Sequence, residues 1–378
     1  MIEFSYRKDR RHLFYFFEEW VMLSFVWIVV AGLAFGLGAV LLVQAGNPGN
    51  YGFCAACHLR DIAGSLGIHK APLLQYARPE IMGWVIGAFV LSKTTGEFRP
   101  RGGSAPLIRF MLGALMMLGA LVFLGCPLRA LLRLAGGDLN GITAMAGFLA
   151  GIGTGIVFLR NGFSLGRART ISGPVAFTGY LPVVFAVVLA AAVAAGASFL
   201  YFSTKGPGSQ HAPILISLIA GLITGAIAMK TRMCLSGGFR DFFLVKDTSL
   251  LKIYGLIFLS AAAANLFFGT FKLGFTGQPL AHTMHLWNFL GLYLVGVSAT
   301  LLGGCPLRQL IMAADGNTDA AICVLGMLAG AGVAHTLNMA ASGAGVPLNG
   351  QIAVGVGIVI TFAVGWLFRE KVLVEATA

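Results

Sequence analysis

Ten apolar stretches, each near the ~20 residues needed to cross a bilayer, recur along this chain of 378 residues. They run over 20–43, 73–92, 106–124, 141–159 and 175–202, then over 214–229, 253–271, 285–303, 320–337 and 352–368. Between them no segment is long and polar enough to fold as a soluble domain. Only 11% of the residues are charged and 57% are hydrophobic, whereas ordinary soluble domains carry about a quarter charged residues. The expected fold is all-α and polytopic, with binding or chemistry confined to the helical bundle. The first stretch is too long for a signal-peptide core and no cleavage pattern follows it, so it is expected to stay. The second is the weakest, because Arg78-Pro79-Glu80 interrupts its apolar run.

A duplication organises these stretches. Cys54 and Cys126 stand 72 residues apart, Cys234 and Cys305 71 apart. Gly125-Cys126-Pro127-Leu128-Arg129 recurs letter for letter as Gly304-Cys305-Pro306-Leu307-Arg308. Cys54 is followed by Arg60-Asp61 and Cys234 by Arg240-Asp241, and a Gly-x-Leu-Ala-Gly-x-Gly run starts at Gly147 and again at Gly326. Two consecutive copies of five crossings must lie in opposite orientations, so an inverted repeat is expected. Its parts are a cytoplasmic segment at 1–19, a first membrane repeat at 20–202, a second, inverted one at 213–368, and a cytoplasmic tail at 369–378.

The basic residues agree with cytoplasmic N- and C-termini and a multi-pass place in the inner (plasma) membrane. Arg7 to Arg11, Lys93 to Arg101, Arg160 to Arg169 and Lys230 to Lys252 all fall on the inner side, while the connections at 203–212, 271–284 and 341–351 hold two lysines between them. Much of the net charge of +12 is of this topogenic kind. A nucleic-acid role would need an exposed basic domain, and the sequence has none. Trp20, Trp84, Trp287 and Trp366 read as interfacial anchors. The 52 glycines read mostly as sites of close helix packing.

In this arrangement Cys54 and Cys126 lie at outer span ends, Cys234 and Cys305 at inner ones. The segments that follow, 55–67, 127–135, 235–244 and 306–314, are too short to cross and read as short re-entrant helices. Irregular backbone at such depth survives only where protein or a water-filled cavity satisfies it. An hourglass-like bundle is expected, pinched in the middle with a funnel on each side.

Cys-Pro-Leu-Arg has a mechanical reading. Proline suits the first position of a helix, which leaves the cysteine at the cap, beside unsatisfied N–H groups and the positive end of the dipole. An arginine three residues on returns to the same face. Thiol, helix N-terminus and guanidinium together suit an anion, and a sulfur- or selenium-bearing one, because a polarisable chalcogen interacts well with thiols. The candidate binding residues are Cys54, Cys126, Cys234, Cys305, Arg129 and Arg308, with Arg60 and Arg240 behind them. A structural alternative stays open: Arg129 and Arg308 could pair with Asp138, Asp315 or Asp319 and only close helix ends. Arg60-Asp61 and Arg240-Asp241 are expected to be internal ion pairs rather than ligand contacts.

Cys54-Ala55-Ala56-Cys57-His58 matches a c-type haem attachment string, and the same two thiols could form a disulfide. The rival function is therefore a membrane thiol or haem oxidoreductase using Cys54 and Cys57. Against it, the repeat accounts for Cys54 without haem, and the counterpart reads Cys234-Leu-Ser-Gly-Gly. No cofactor and no metal is expected. His282 and His285 read as interfacial, and His335 either lines the cavity or bonds to backbone. Cys323 reads as a small core residue. Apart from Glu80 the spans hold no carboxylate, so proton or cation coupling is not indicated and passage down a gradient fits better.

At these residues the chain resembles the YeeE/YedE family of sulfur-transport membrane proteins. The likeness covers nearly the whole length and is most specific at Met233-Cys234-Leu-Ser-Gly-Gly-Phe-Arg240-Asp241 and Gly303-Gly304-Cys305. The resemblance implies an hourglass-shaped bundle, uptake of thiosulfate through a cysteine relay (Cys54, Cys126 and Cys305, with Cys234 as a further matching position), and transfer of sulfur to a small cytosolic carrier protein of the TusA type. The prolines after both Gly-Cys motifs, the Cys54 to His58 string and the Arg99-Pro-Arg101-Gly-Gly loop resemble a YedE-related branch named for selenium transport. The expected activity is thus import of a small sulfur- or selenium-containing anion, not enzyme catalysis.

Overall fold

The computed structural model describes residues 25–369; Trp20, the expected cytoplasmic segment at 1–19 and all of the expected tail at 369–378 except Arg369 lie outside them. Every long element is a helix. The first half holds α1 (Phe25–Gln44), α2 (Ala55–Ser65), α3 (Pro79–Thr94), α4 (Pro106–Phe123), α5 (Pro127–Ala135), α6 (Asn140–Arg160) and α7 (Leu181–Ala194), the last preceded by a 3-10 turn. The second half holds α8 (Ile214–Thr231), α9 (Leu235–Val245), α10 (Ser249–Phe267), α11 (His285–Leu301), α12 (Pro306–Ala314), α13 (Thr318–Thr336) and α14 (Leu348–Leu367). Two strands of two residues, at Arg101–Gly102 and Arg169–Thr170, pair antiparallel.

Nine helices among the described residues are long and apolar enough to cross a membrane. Their outer faces carry Val188, Leu215, Leu266 and Val359 uncovered, which lipid rather than water would tolerate. The protein is an all-α polytopic membrane protein. The expected crossing not among these nine is the second, α3, and here the sequence reading needs correction. Residues 73–78 are loop, and the helix starts at Pro79, the favoured first position. Its 16 residues reach roughly 24 Å, short of a full hydrocarbon core. The fifth crossing is shorter than 175–202, since α7 ends at Ala194.

Helix pairing is reciprocal between the halves. α6 packs on α11 and α4 on α13; α3 packs on α8, α5 on α10 and α12 on α3. Close approach on α1 is toward α10, where a Cβ on Gly36 would overlap Ser260 and the Ile257 carbonyl. Interchanging matching helices of the halves turns each of these pairs into another. The repeated glycine run explains two of them. A Cβ on Gly147 or Gly151 of α6 would collide with the Phe289 or Tyr293 carbonyl of α11, and one on Gly326 or Gly330 of α13 with Phe110 or Ala114 of α4. Backbone meets backbone there, which only small residues permit.

Trp84 is no interfacial anchor. It is fully buried between α3 and α8, its indole N–H donating to Thr224 Oγ1 at 2.8 Å. Trp366 is exposed, and Trp287 packs beside Leu294 and Val122.

Candidate functional site

Each of the four repeat cysteines follows a backbone reversal. The residue two positions earlier has positive φ in every case: Gly52 (32°), Leu124 (65°), Arg232 (57°) and Gly303 (76°). The left-handed region stops a helix, and for Leu124 and Arg232 it costs roughly 1–2 kcal/mol each. The chain then passes through an extended cysteine into a short helix: Cys54 into α2, Cys126 into α5, Cys234 into α9, Cys305 into α12. Strain retained at Leu124 and Arg232 marks positions that the surrounding structure over-determines, as functional sites do.

Within each half the two cysteines touch. Cys54 Sγ accepts the Cys57 N–H at 3.2 Å, capping α2, and also the Cys126 N–H at 3.5 Å. Cys234 Sγ repeats this with Gly237 at 3.2 Å and Cys305 at 3.5 Å, and lies 3.2 Å from Ser236 Oγ. Sulfur at an N-cap does what a hydroxyl oxygen does there, accepting an orphan helix donor. Cys126 and Cys305 make no such cap bond, and proline follows each. The halves also converge. The helix after Cys126, α5, packs on α10, and the helix after Cys305, α12, packs on α3 and α2. All four sulfurs are buried in the bundle.

The glycine of Gly-Cys-Pro-Leu-Arg has a packing reason. The Arg129 stem lies over Gly125 and the Arg308 stem over Gly304, so that a Cβ would sit 2.8 Å from a side-chain carbon in each. Beyond the stems the copies differ. Arg129 Nε donates to the Asn50 carbonyl at 2.7 Å, and Nη1 to Cys57 Sγ at 3.1 Å and to the Leu124 carbonyl. Its Nη2 is buried without a hydrogen-bond partner among the described residues. Arg308 Nη1 is likewise buried and unpartnered.

Neither arginine takes up the structural alternative. Asp138 pairs with Arg133 at 2.6 Å, Asp315 with Arg101 at 2.7 Å, and Asp319 lies 3.7 Å from Arg109 while accepting from Ser104. Two positive groups therefore stand beside thiols and helix N-termini with no carboxylate partner among the described residues, an arrangement that favours an anion.

The Arg-Asp dipeptides are internal ion pairs, as expected, but of unequal kind. Arg60 and Asp61 are buried and joined at 2.8 Å. Asp61 also takes Arg78 Nε at 2.9 Å and the Tyr51 hydroxyl at 2.6 Å. Arg240 and Asp241, 2.9 Å apart, are 31% and 32% exposed. Sequence reasoning missed Tyr51 and Asn50, read Arg78 only as a break in an apolar run, and read Cys57 only as a partner of Cys54. None has a like residue at the matching place in the second half, so the repeat that exposed the cysteines hid them.

Cys54, Cys57 and His58 are fully buried free residues of the packed interior, with His58 facing Tyr51 and Trp84. His282 turns inward, bonding the Val122 carbonyl at 2.8 Å, which corrects its interfacial reading. His335 lies against His69, ring centres 4.5 Å apart. Cys323 is buried in α13 beside Gly113, as a core residue.

Residues 230–372 match the family model described as sulphur transport. The chain is also similar to the thiosulfate transporter TsuA of Escherichia coli (strain K12), with 29% identity over 103 residues, or 27% of this chain and 29% of that protein. The similarity thus spans less than a third of the relative's length. The matched region holds Cys234, Cys305 and Arg308 with the backbone reversals before both thiols. The family likeness of this chain thus lies in residues 230–372, which match the sulphur-transport model.

Proposed function

We propose that the protein imports a small sulfur-containing anion, thiosulfate or one of like chemistry, along a passage bearing Cys54, Cys126, Cys305 and Cys234. The observation that carries this reading is a site built twice: two touching thiols, a helix N-terminus and a guanidinium without a carboxylate, each at the broken end of a span. Thiols suit a terminal sulfur, while Arg129, Arg308 and the helix ends suit the charge. Contacts shared along the path keep each one weak enough for the anion to leave. A selenium-bearing anion would use the same groups and is the alternative cargo.

The reciprocal helix pairing supports a pair of inverted repeats meeting at a constriction, with both termini cytoplasmic in an inner membrane. The family likeness supports a TusA-like cytosolic protein as the recipient of sulfur. Glu80, the carboxylate of α3, is buried, with one oxygen bonded to Asn47 and Ser217.

The test is uptake of labelled thiosulfate, selenite and sulfate by vesicles containing only this protein. Thiosulfate is expected to enter and sulfate to be refused. Cys126→Ala and Cys305→Ala should each abolish uptake without loss of insertion; unchanged uptake in both would falsify the relay.

A further inference from the structure

The two copies of Gly-Cys-Pro-Leu-Arg are identical in sequence, yet their arginines are held differently. The position three residues after the first cysteine makes part of the difference. In the first half it is Cys57, whose sulfur accepts Arg129 Nη1 at 3.1 Å. In the second it is Gly237, which offers its N–H to Cys234 and has no side chain for Arg308. Arg129 is further fixed by the Asn50 and Leu124 carbonyls and lies over the Tyr51 ring, 5.0 Å from its centre. Only Nη2 is left, buried and unpartnered among the described residues, on a side chain 1% exposed.

A buried guanidinium nitrogen without an acceptor is costly, and the cost is removed when an anion supplies the acceptor. We propose that Cys57 is a positioning residue of the first-half site: its sulfur orients Arg129 so that Nη2 faces the passing anion. The inference rests on the transport reading above and adds an asymmetry to it. A preorganised arginine loses less freedom when the anion arrives, so the first-half site captures. Arg308, lacking such a tether, belongs to the site that releases.

Vesicles holding the full chain and radiolabelled thiosulfate test this. Cys57→Ala should raise the KM by about tenfold, the loss expected for a hydrogen bond to a charged group, while the maximal rate changes by less than about twofold. Cys57→Gly, which copies position 237, should do the same and serves as the second variant if the alanine form inserts poorly. Cys57→Ser keeps an acceptor and should recover most of the affinity. In an Arg129→Gln background, Cys57→Ala should add nothing. A wild type that takes up no thiosulfate sinks the transport reading and this inference with it. Normal wild-type uptake with an unchanged KM in Cys57→Ala, or an equal loss in the Arg129→Gln background, overturns this inference alone.

Discussion

Asp61→Asn and Asp241→Asn make the same chemical change in two copies of one dipeptide, and the structure assigns them different costs. Asp61 is fully buried and receives two guanidiniums, Arg60 at 2.8 Å and Arg78 at 2.9 Å, with the Tyr51 hydroxyl at 2.6 Å. Neutralising it leaves two buried cations without a counter-charge. Removing one member of a buried pair costs about 3–5 kcal/mol. Asp241 and its arginine are each about a third exposed, and a pair so hydrated contributes about 0–1 kcal/mol. The difference of about 3 kcal/mol corresponds to roughly 150-fold in the folded-to-unfolded ratio. Unfolding of the detergent-solubilised protein, followed by loss of helical circular dichroism over a denaturant series, measures both. Adding Arg78→Met to Asp61→Asn should recover part of the loss, because one stranded charge goes with it. Equal stabilities of Asp61→Asn and Asp241→Asn, within about 1 kcal/mol, would refute the reasoning that burial makes the two copies unlike.

Other consequences follow from packing. Gly151→Ala and Gly326→Ala press a Cβ onto carbonyls of the facing helix and should each destabilise by about 1–3 kcal/mol. Gly153→Ala, with open space beside it, should instead stabilise by up to about 1 kcal/mol; thermal unfolding of the three separates packing from propensity. Trp84→Phe should cost about 1 kcal/mol through the lost bond to Thr224, and Thr224→Val added to it should cost little more. Cys323→Ala should cost about 1 kcal/mol for the vacated space and leave thiosulfate uptake unchanged, in contrast to Cys126→Ala.

Much of the site could be read without coordinates because it is written twice. A thiol, a proline and an arginine at fixed spacing announce a helix start, and duplication marks them against a background of apolar letters. The same device misled elsewhere. Expecting the second crossing to equal its clean partner extended it across Arg78, which instead lies in the loop and reaches Asp61. Trp84 reads as an anchor when tryptophan statistics are applied to a helix that proves to be internal. Arg129 and Arg308 read alike because their five-residue contexts are alike, while the groups that hold Arg129 alone, Asn50 and Cys57, come from other segments.

Hydropathy by itself determined that this is a bundle of helices made for a bilayer, because the length and polarity of each run depend on neighbouring letters alone. Cysteine spacing alone also placed the helix breaks. Tertiary structure alone decided which sulfur caps which amide, which arginine is held, and which ion pair is shut away from solvent. Those outcomes depend on groups far apart in the chain, and identical local sequences end in different surroundings once packed.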